Sequence, residues 1–161
     1  MIKLTRIDDR LVHGQVAFTW VPSLGIDCLV VANDVIAKDD FQKMTLGLAK
    51  PANVKLLIKS VSDTISFLND EKNKAAKVLV LINSVKDAAA LANAVPGISS
   101  LNFGGLRARE NAKLISKAVA ITAEEVVIIK ALLQKNIELE IRQVPTDEKQ
   151  NVAPLITNIE V

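Results

Sequence analysis

"AKVLVLINSVKDAAALANAVPG", residues 76–97, decides the fold class. Its opening residues, 76–84, are an almost unbroken aliphatic run bounded by polar residues, which reads as a strand covered on both faces. The alanine-rich stretch 85–95 reads as a helix, and Pro96 and Gly97 stop it. A strand buried on both sides and followed at once by a helix is the repeating unit of a parallel α/β sheet.

The same alternation extends in both directions. Toward the N-terminus, residues 2–7 alternate as a first strand, 14–25 read as a short helix ending near Pro22 and Gly25, and 27–33 form a second apolar run. Residues 37–51 carry apolar positions at Phe41, Met44, Leu46 and Leu48 before Pro51, 54–60 read as a third strand, and 61–74 as a helix. Toward the C-terminus, "ISSLNFGG" (98–105) is a short strand ending in two glycines, and a polar bridge follows it. Residues 119–136 begin as a short strand and continue as a helix behind Thr122, with acids in its first turn. Residues 137–145 alternate as a late strand, and the tail after them is ambiguous. The expected architecture is one α/β domain spanning residues 1–161. It has three layers: a mostly parallel twisted sheet of about six or seven strands, with room for an antiparallel edge, and helices on both faces.

Composition narrows the function. Half the residues are hydrophobic while tyrosine is absent, so the core must be aliphatic. A formal net charge of only +2, with no arginine-rich block, argues against a nucleic-acid binder. Cys28 is the single cysteine; it reads as a small core residue and fits a reducing compartment. The opening "MIKLTRI" has no long apolar stretch of the signal-peptide kind, and no run reaches the roughly 18 residues a bilayer span needs. Any link to a membrane is therefore expected to run through a partner.

"RIDDRLVHGQVAFTW", residues 6–20, holds the only histidine, His13, and the only tryptophan, Trp20. In a sheet of this kind ligands bind at the carboxyl ends of the strands, which is where the loop after the first strand falls. His13 reads either as a satisfied structural residue or as a functional imidazole. Its place between a strand end and a helix start favours function, because the first helical amides bind anions such as phosphate. Arg10 can offer a planar fork to phosphate oxygens, and Asp8 and Asp9 can orient Arg10 or hold one ring nitrogen, freeing the other as a nucleophile. Two carboxylates would repel a phosphoryl group, so at least one is expected to turn away, pairing with Arg10 or capping the helix.

Other chemistries fit less well. The first turn has one glycine where a dinucleotide fingerprint needs three, no Walker loop exists, and no G-x-S-x-G elbow is present. One Cys and one His cannot build a structural zinc site.

The 6–20 segment resembles the active-site segment of the IIB component of the mannose–fructose–sorbose family of the sugar phosphotransferase system. "VVANDVIAKDDFQKMTLGLAKP" (30–51), "LNFGGLRAREN" (101–111) and "ELEIRQVPTDEK" (138–149) carry the resemblance onward in the same order. It implies a cytoplasmic phosphotransferase that takes a phosphoryl group from a histidine of the IIA component. The group then passes to a sugar translocated by the membrane-embedded IIC and IID components, the contact that brings IIB to the membrane. It places the phosphohistidine on His13, modified at Nδ1, the loop arginine on Arg10 and the paired acids on Asp8 and Asp9. No cofactor and no metal is implied. The sugar stays open among mannose, fructose, sorbose and N-acetylated amino sugars, and an aliphatic helix face leaves room for a homodimer. The competing reading is a non-catalytic module that binds phosphate or a phosphorylated metabolite.

Secondary candidates keep two readings each. Asn33 and Asp34 belong to an Asx-type turn or to the rim of the site. Gly104 and Gly105 form a tight turn or a phosphate-side loop. Arg107 and Arg109 form a solvated face or a docking surface. Phe18 is expected in the core, while Trp20 is either core or an exposed docking residue.

Overall fold

The computed structural model describes residues 1–157 and 159. β1 (Ile2–Asp8) leads into α1, a wide π-helical segment (Val16–Trp20) that runs into an α-helical turn (Val21–Leu24). β2 (Cys28–Ala32), α2 (Asp40–Leu48), β3 (Lys55–Lys59), α3 (Val61–Asn69), β4 (Val78–Ile82) and α4 (Val85–Ala94) follow. Next come β5 (Ser100–Gly105), β6 (Ala112–Leu114), β7 (Ala120–Thr122), α5 (Ala123–Gln134) and β8 (Glu138–Ile141). β9 (Gln150–Asn151) and α6 (Ala153–Ile156) close the series.

Among the described residues seven strands form one sheet in the order β3-β2-β4-β1-β5-β8-β9. The first six are parallel neighbours and β9 pairs antiparallel with β8. This is the α/β architecture expected from the alternation, antiparallel edge included. The ambiguous tail supplies β9 and α6; residues 158, 160 and 161 lie outside the described residues. The polar bridge contributes β6, which pairs antiparallel with β7 as a ribbon separate from the main sheet. The late strand is shorter than its alternation suggests, ending at Ile141 because the chain then turns over the sheet.

Local chemistry explains the helix boundaries. Ser60 and Ser84 cap α3 and α4 through their hydroxyls. Thr122 and Glu125 form a reciprocal capping box at the start of α5. Gly25 ends α1 in the left-handed region at φ 63°.

Side chains of β4 alternate between two cores. Val78, Val80 and Ile82 face the side covered by α4 and α5, while Leu79 and Leu81 face Val16, Trp20 and Val21 of α1. Burying each such aliphatic stabilises the fold by roughly 1.5–3 kcal/mol.

One expectation fails, on α1. Phe18 is 80% exposed, because Val16, Ala17, Trp20 and Val21 fill the inward side of α1. In α2 only Leu46 packs on the core; Phe41, Met44 and Leu48 face outward. Leu46 shares its cluster with Leu56 and Ile58 of β3, the edge strand of the sheet.

The chain winds from β1 to β2 and β3 in one direction, and from β4 to β5 and β8 in the other. Winding therefore reverses between the neighbours β1 and β4, opening a crevice at their carboxyl ends. On the α1 side the aligned residues of β1, β5 and β8 are polar: Arg6 is in register with Asn102, and Asn102 with Glu140. All three are buried.

Candidate functional site

The loop after β1 is built on a tight turn in which the Leu11 amide donates to the Asp8 carbonyl at 3.0 Å. Leu11 sits at φ 56°, a left-handed backbone that costs a branched side chain on the order of 1–3 kcal/mol. Its side chain is buried among Val12, Val16 and Trp20, and that packing holds the strained turn in place.

Asp8 is the hub. Its Oδ1 accepts from the Arg10 amide at 3.0 Å. Its Oδ2 accepts from Arg6 Nε at 3.3 Å and lies 2.8 Å from His13 Nε2. Facing a carboxylate, Nε2 is the donor nitrogen, so in the neutral ring the lone pair lies on Nδ1. Nδ1 has no hydrogen-bond partner among the described residues, and the His13 side chain is 12% exposed. Burial pushes the Asp8 carboxyl up. The bonds from His13 and the Arg10 amide, with the charges of His13 and Arg6, more than offset it and hold the carboxyl below its ordinary value.

Behind Asp8 lies Arg6, fully buried. Its Nη1 donates to Asn102 Oδ1 at 2.7 Å and to the Arg142 carbonyl at 3.0 Å. Its Nη2 donates to Gln15 Oε1 at 3.3 Å and the Gln143 carbonyl at 3.1 Å. The guanidinium lies 5.4 Å from the Trp20 ring centroid, with Arg142 at 5.0 Å from the same ring. Burial lowers the Arg6 pKa, Asp8 and Glu140 work against that, and Arg10 adds repulsion. An arginine stays charged under such pressure.

Asp9 turns to a different arginine. Its Oδ2 accepts from the Arg107 amide at 2.8 Å and from Arg107 Nε at 3.0 Å, and its own amide donates to the Gly105 carbonyl. At least one acid is expected to turn away, pairing with Arg10 or capping the helix. Asp9 does turn away, but to Arg107, while Asp8 holds the His13 ring nitrogen and Arg6, and Arg10 meets Asp8 only through its backbone. The Arg10 side chain is exposed and makes no hydrogen bond among the described residues.

The secondary candidates resolve as follows. Asn33 Oδ1 accepts from the amides of Val35 and Ile36, the Asx turn, and its Nδ2 donates to Asn83 Oδ1 at the end of β4. Asp34 accepts from the Val61 amide at the start of α3. Arg109 is tied to Glu125 and the Ala120 carbonyl. Trp20 is buried, its Nε1 donating to the Gln143 carbonyl at 2.9 Å. Gly104 has a reason neither reading held: a Cβ there would overlap the Arg6 guanidinium. Cys28 is buried, and burial pushes its thiol up. Arg6 is the residue that sequence reasoning missed. Its one signal was a charge at an alternating position of the first strand.

The result is a partly exposed imidazole with Nε2 tethered and Nδ1 without a hydrogen-bond partner among the described residues. A cation without a side-chain partner stands in the same loop, and a helix begins at residue 14. The opening amides of a helix lack intrahelical acceptors, so they add donors for an anion. Among the described residues no helix is long and apolar enough to cross a membrane.

The chain matches the family model for the PTS system sorbose subfamily IIB component over residues 2–161. It is 37% identical over 163 residues to a probable phosphotransferase enzyme IIB component of Streptococcus pyogenes serotype M6, covering 97% of this chain and 99% of that protein. It is 32% identical over 160 residues to the mannose-specific EIIAB component of Escherichia coli K12, covering 99% of this chain and 50% of that protein. The IIBSor domain of the sorbose permease from Klebsiella pneumoniae superposes with a TM-score of 0.92 at 26% identity, covering 99% of this chain and 98% of that one. A phosphotransferase family thus accounts for the chain from β1 to its end: it belongs to the IIB components of the mannose/sorbose family of the sugar phosphotransferase system.

Proposed function

We propose that this chain is a single IIB domain that carries a phosphoryl group on His13 Nδ1 between a IIA component and a sugar. The observation that carries the reading is the 2.8 Å contact between His13 Nε2 and Asp8, which leaves Nδ1 as the nucleophile. In the forward step the Nδ1 lone pair attacks phosphorus, a P–N bond forms at His13, and the donor histidine's P–N bond breaks with its electron pair returning to that ring. In the second step the sugar hydroxyl oxygen attacks phosphorus, the His13 P–N bond breaks, and the hydroxyl proton leaves to water. Charge in such a transfer spreads over three phosphoryl oxygens, so positioning and fixed positive charge supply most of the acceleration. Arg10 and the amides at the start of α1 fill that role. Asp8 orients the ring, and Asp9 fixes the loop against Arg107.

The E. coli relative's name joins A and B components in one protein, which supports a IIA component as the donor. The family assignment supports IIC and IID as the membrane partners and a cytoplasmic location at the membrane face, and it leaves the sugar open.

Incubation with the general phosphotransferase proteins and labelled phosphoenolpyruvate tests the proposal. The chain should take up label that is acid-labile and alkali-stable, and His13→Ala should abolish uptake. Full labelling of His13→Ala refutes it. Phosphate binding without any phosphohistidine signal in phosphorus NMR would favour the regulatory-module reading.

A further inference from the structure

Two carboxylates beside a phosphoryl acceptor pose an electrostatic problem, and the strand behind the loop answers it. Asp8 Oδ2 is shared by the imidazole and by a guanidinium that is wholly inside the protein. Four further acceptors, from Gln15, Asn102 and the carbonyls of Arg142 and Gln143, fix that guanidinium, Trp20 covers it, and Gly104 leaves it room. Nothing in this arrangement reaches the reacting nitrogen. It meets the site through one contact, the bond from Arg6 to Asp8.

We propose that Arg6 is a positioning residue for phosphoryl transfer, acting through Asp8: it locks the carboxylate against Nε2 and cancels its charge, so that the ring is presented as a neutral imidazole with Nδ1 open and Arg10 is left for the phosphoryl oxygens. The proposal rests on the reading of His13 as the acceptor. A bare carboxylate in contact with the ring would favour the doubly protonated imidazolium, which has no lone pair on Nδ1 and cannot attack phosphorus. It would also repel the incoming group. Arg6 counters both effects from the side of Asp8 that the donor cannot reach. The other charges around this knot are accounted for. Glu140 is bound by Arg142 and by Asn102, Asp9 is bound by Arg107, and Arg10 is the loop cation.

The test is an NMR titration of His13, the only imidazole in the chain, in wild type, Arg6→Gln and Arg6→Lys. Arg6→Gln should raise the His13 protonation midpoint by about one pH unit or more, and Arg6→Lys should return most of the shift. In the Asp8→Asn background the Arg6→Gln change should move the midpoint far less, since the effect runs through Asp8. The acid limb of the phosphoryl-transfer rate should move upward in Arg6→Gln by the same amount. Titration of Arg6→Gln within about 0.2 unit of wild type overturns the proposal, because removing a charge that close to Asp8 must show. Should Arg6→Gln fail to fold, the wild type decides. The Arg6 Nε–H resonance, bonded to the same oxygen as His13 Nε2, should shift across the His13 titration, and a resonance that stays fixed overturns the proposal. The titration uses no phosphoryl donor, so its failure is separate from a failure of labelling.

Discussion

Gly104 and Arg6 compete for one volume: a methyl group on residue 104 would overlap the buried guanidinium. Arg6 cannot retreat, because Asn102, Gln15 and two carbonyls hold its far side. Gly104→Ala is therefore expected to cost about 1–3 kcal/mol of stability, as overpacking does. It should also slow phosphoryl acceptance, since the displaced guanidinium drags on Asp8. Denaturant midpoints and initial labelling rates check both. Wild-type behaviour in either measurement would show that the strand can relax around the methyl.

Arg10 presents the opposite case, an exposed side chain with no partner among the described residues. Arg10→Ala should change stability by less than about 0.5 kcal/mol. It should slow transfer to His13 by about 10²–10³-fold, the scale seen when one preorganised donor to a developing oxyanion is lost. Arg10→Lys should recover part of the rate, because an ammonium supplies charge without the planar fork. Single-turnover labelling by a phospho-donor measures the three rates.

The outward face of α2 tests a physical point about patterning. Phe41, Met44 and Leu48 are 72%, 60% and 83% exposed. Replacing each with a polar residue should shift stability by less than about 0.5 kcal/mol. Leu79→Ala, at a fully buried position of β4, should cost about 2–5 kcal/mol. Urea melts of the four variants compare them directly.

These contrasts show where the sequence was legible. β2 and β4 were plain because five consecutive apolar residues fit a sheet interior covered on both faces. Thr122 was plain because its cap is local. The His13 loop stood out because a unique imidazole followed a strand. Arg6 did not, since its meaning depends on register with Asn102 and Glu140, residues far away in sequence that become neighbours only when β1, β5 and β8 align. Gly104 was opaque for the same reason, being small for a side chain almost a hundred positions earlier. Phe18 misled because an apolar residue in a helix does not say whether a core lies under it.

Acid titration offers a last handle on Asp8. Burial raises its pKa, but its bonds from His13 and the Arg10 amide, with the nearby charges, bring the folded value below the ordinary one. A depressed carboxyl stabilises the fold fully above its unfolded pKa, about 3.9, and that contribution is lost as pH falls through the lower folded value. Asp87 works in the other direction, since burial and the neighbouring Asp34 raise its pKa. Stability in wild type should therefore fall more steeply than in Asp8→Asn as pH drops below about 4, while Asp87→Asn should steepen the fall. Urea midpoints measured from pH 7 down to pH 3 compare the three chains. Parallel curves for wild type and Asp8→Asn would mean that the carboxylate is no better held in the folded chain than in the unfolded one.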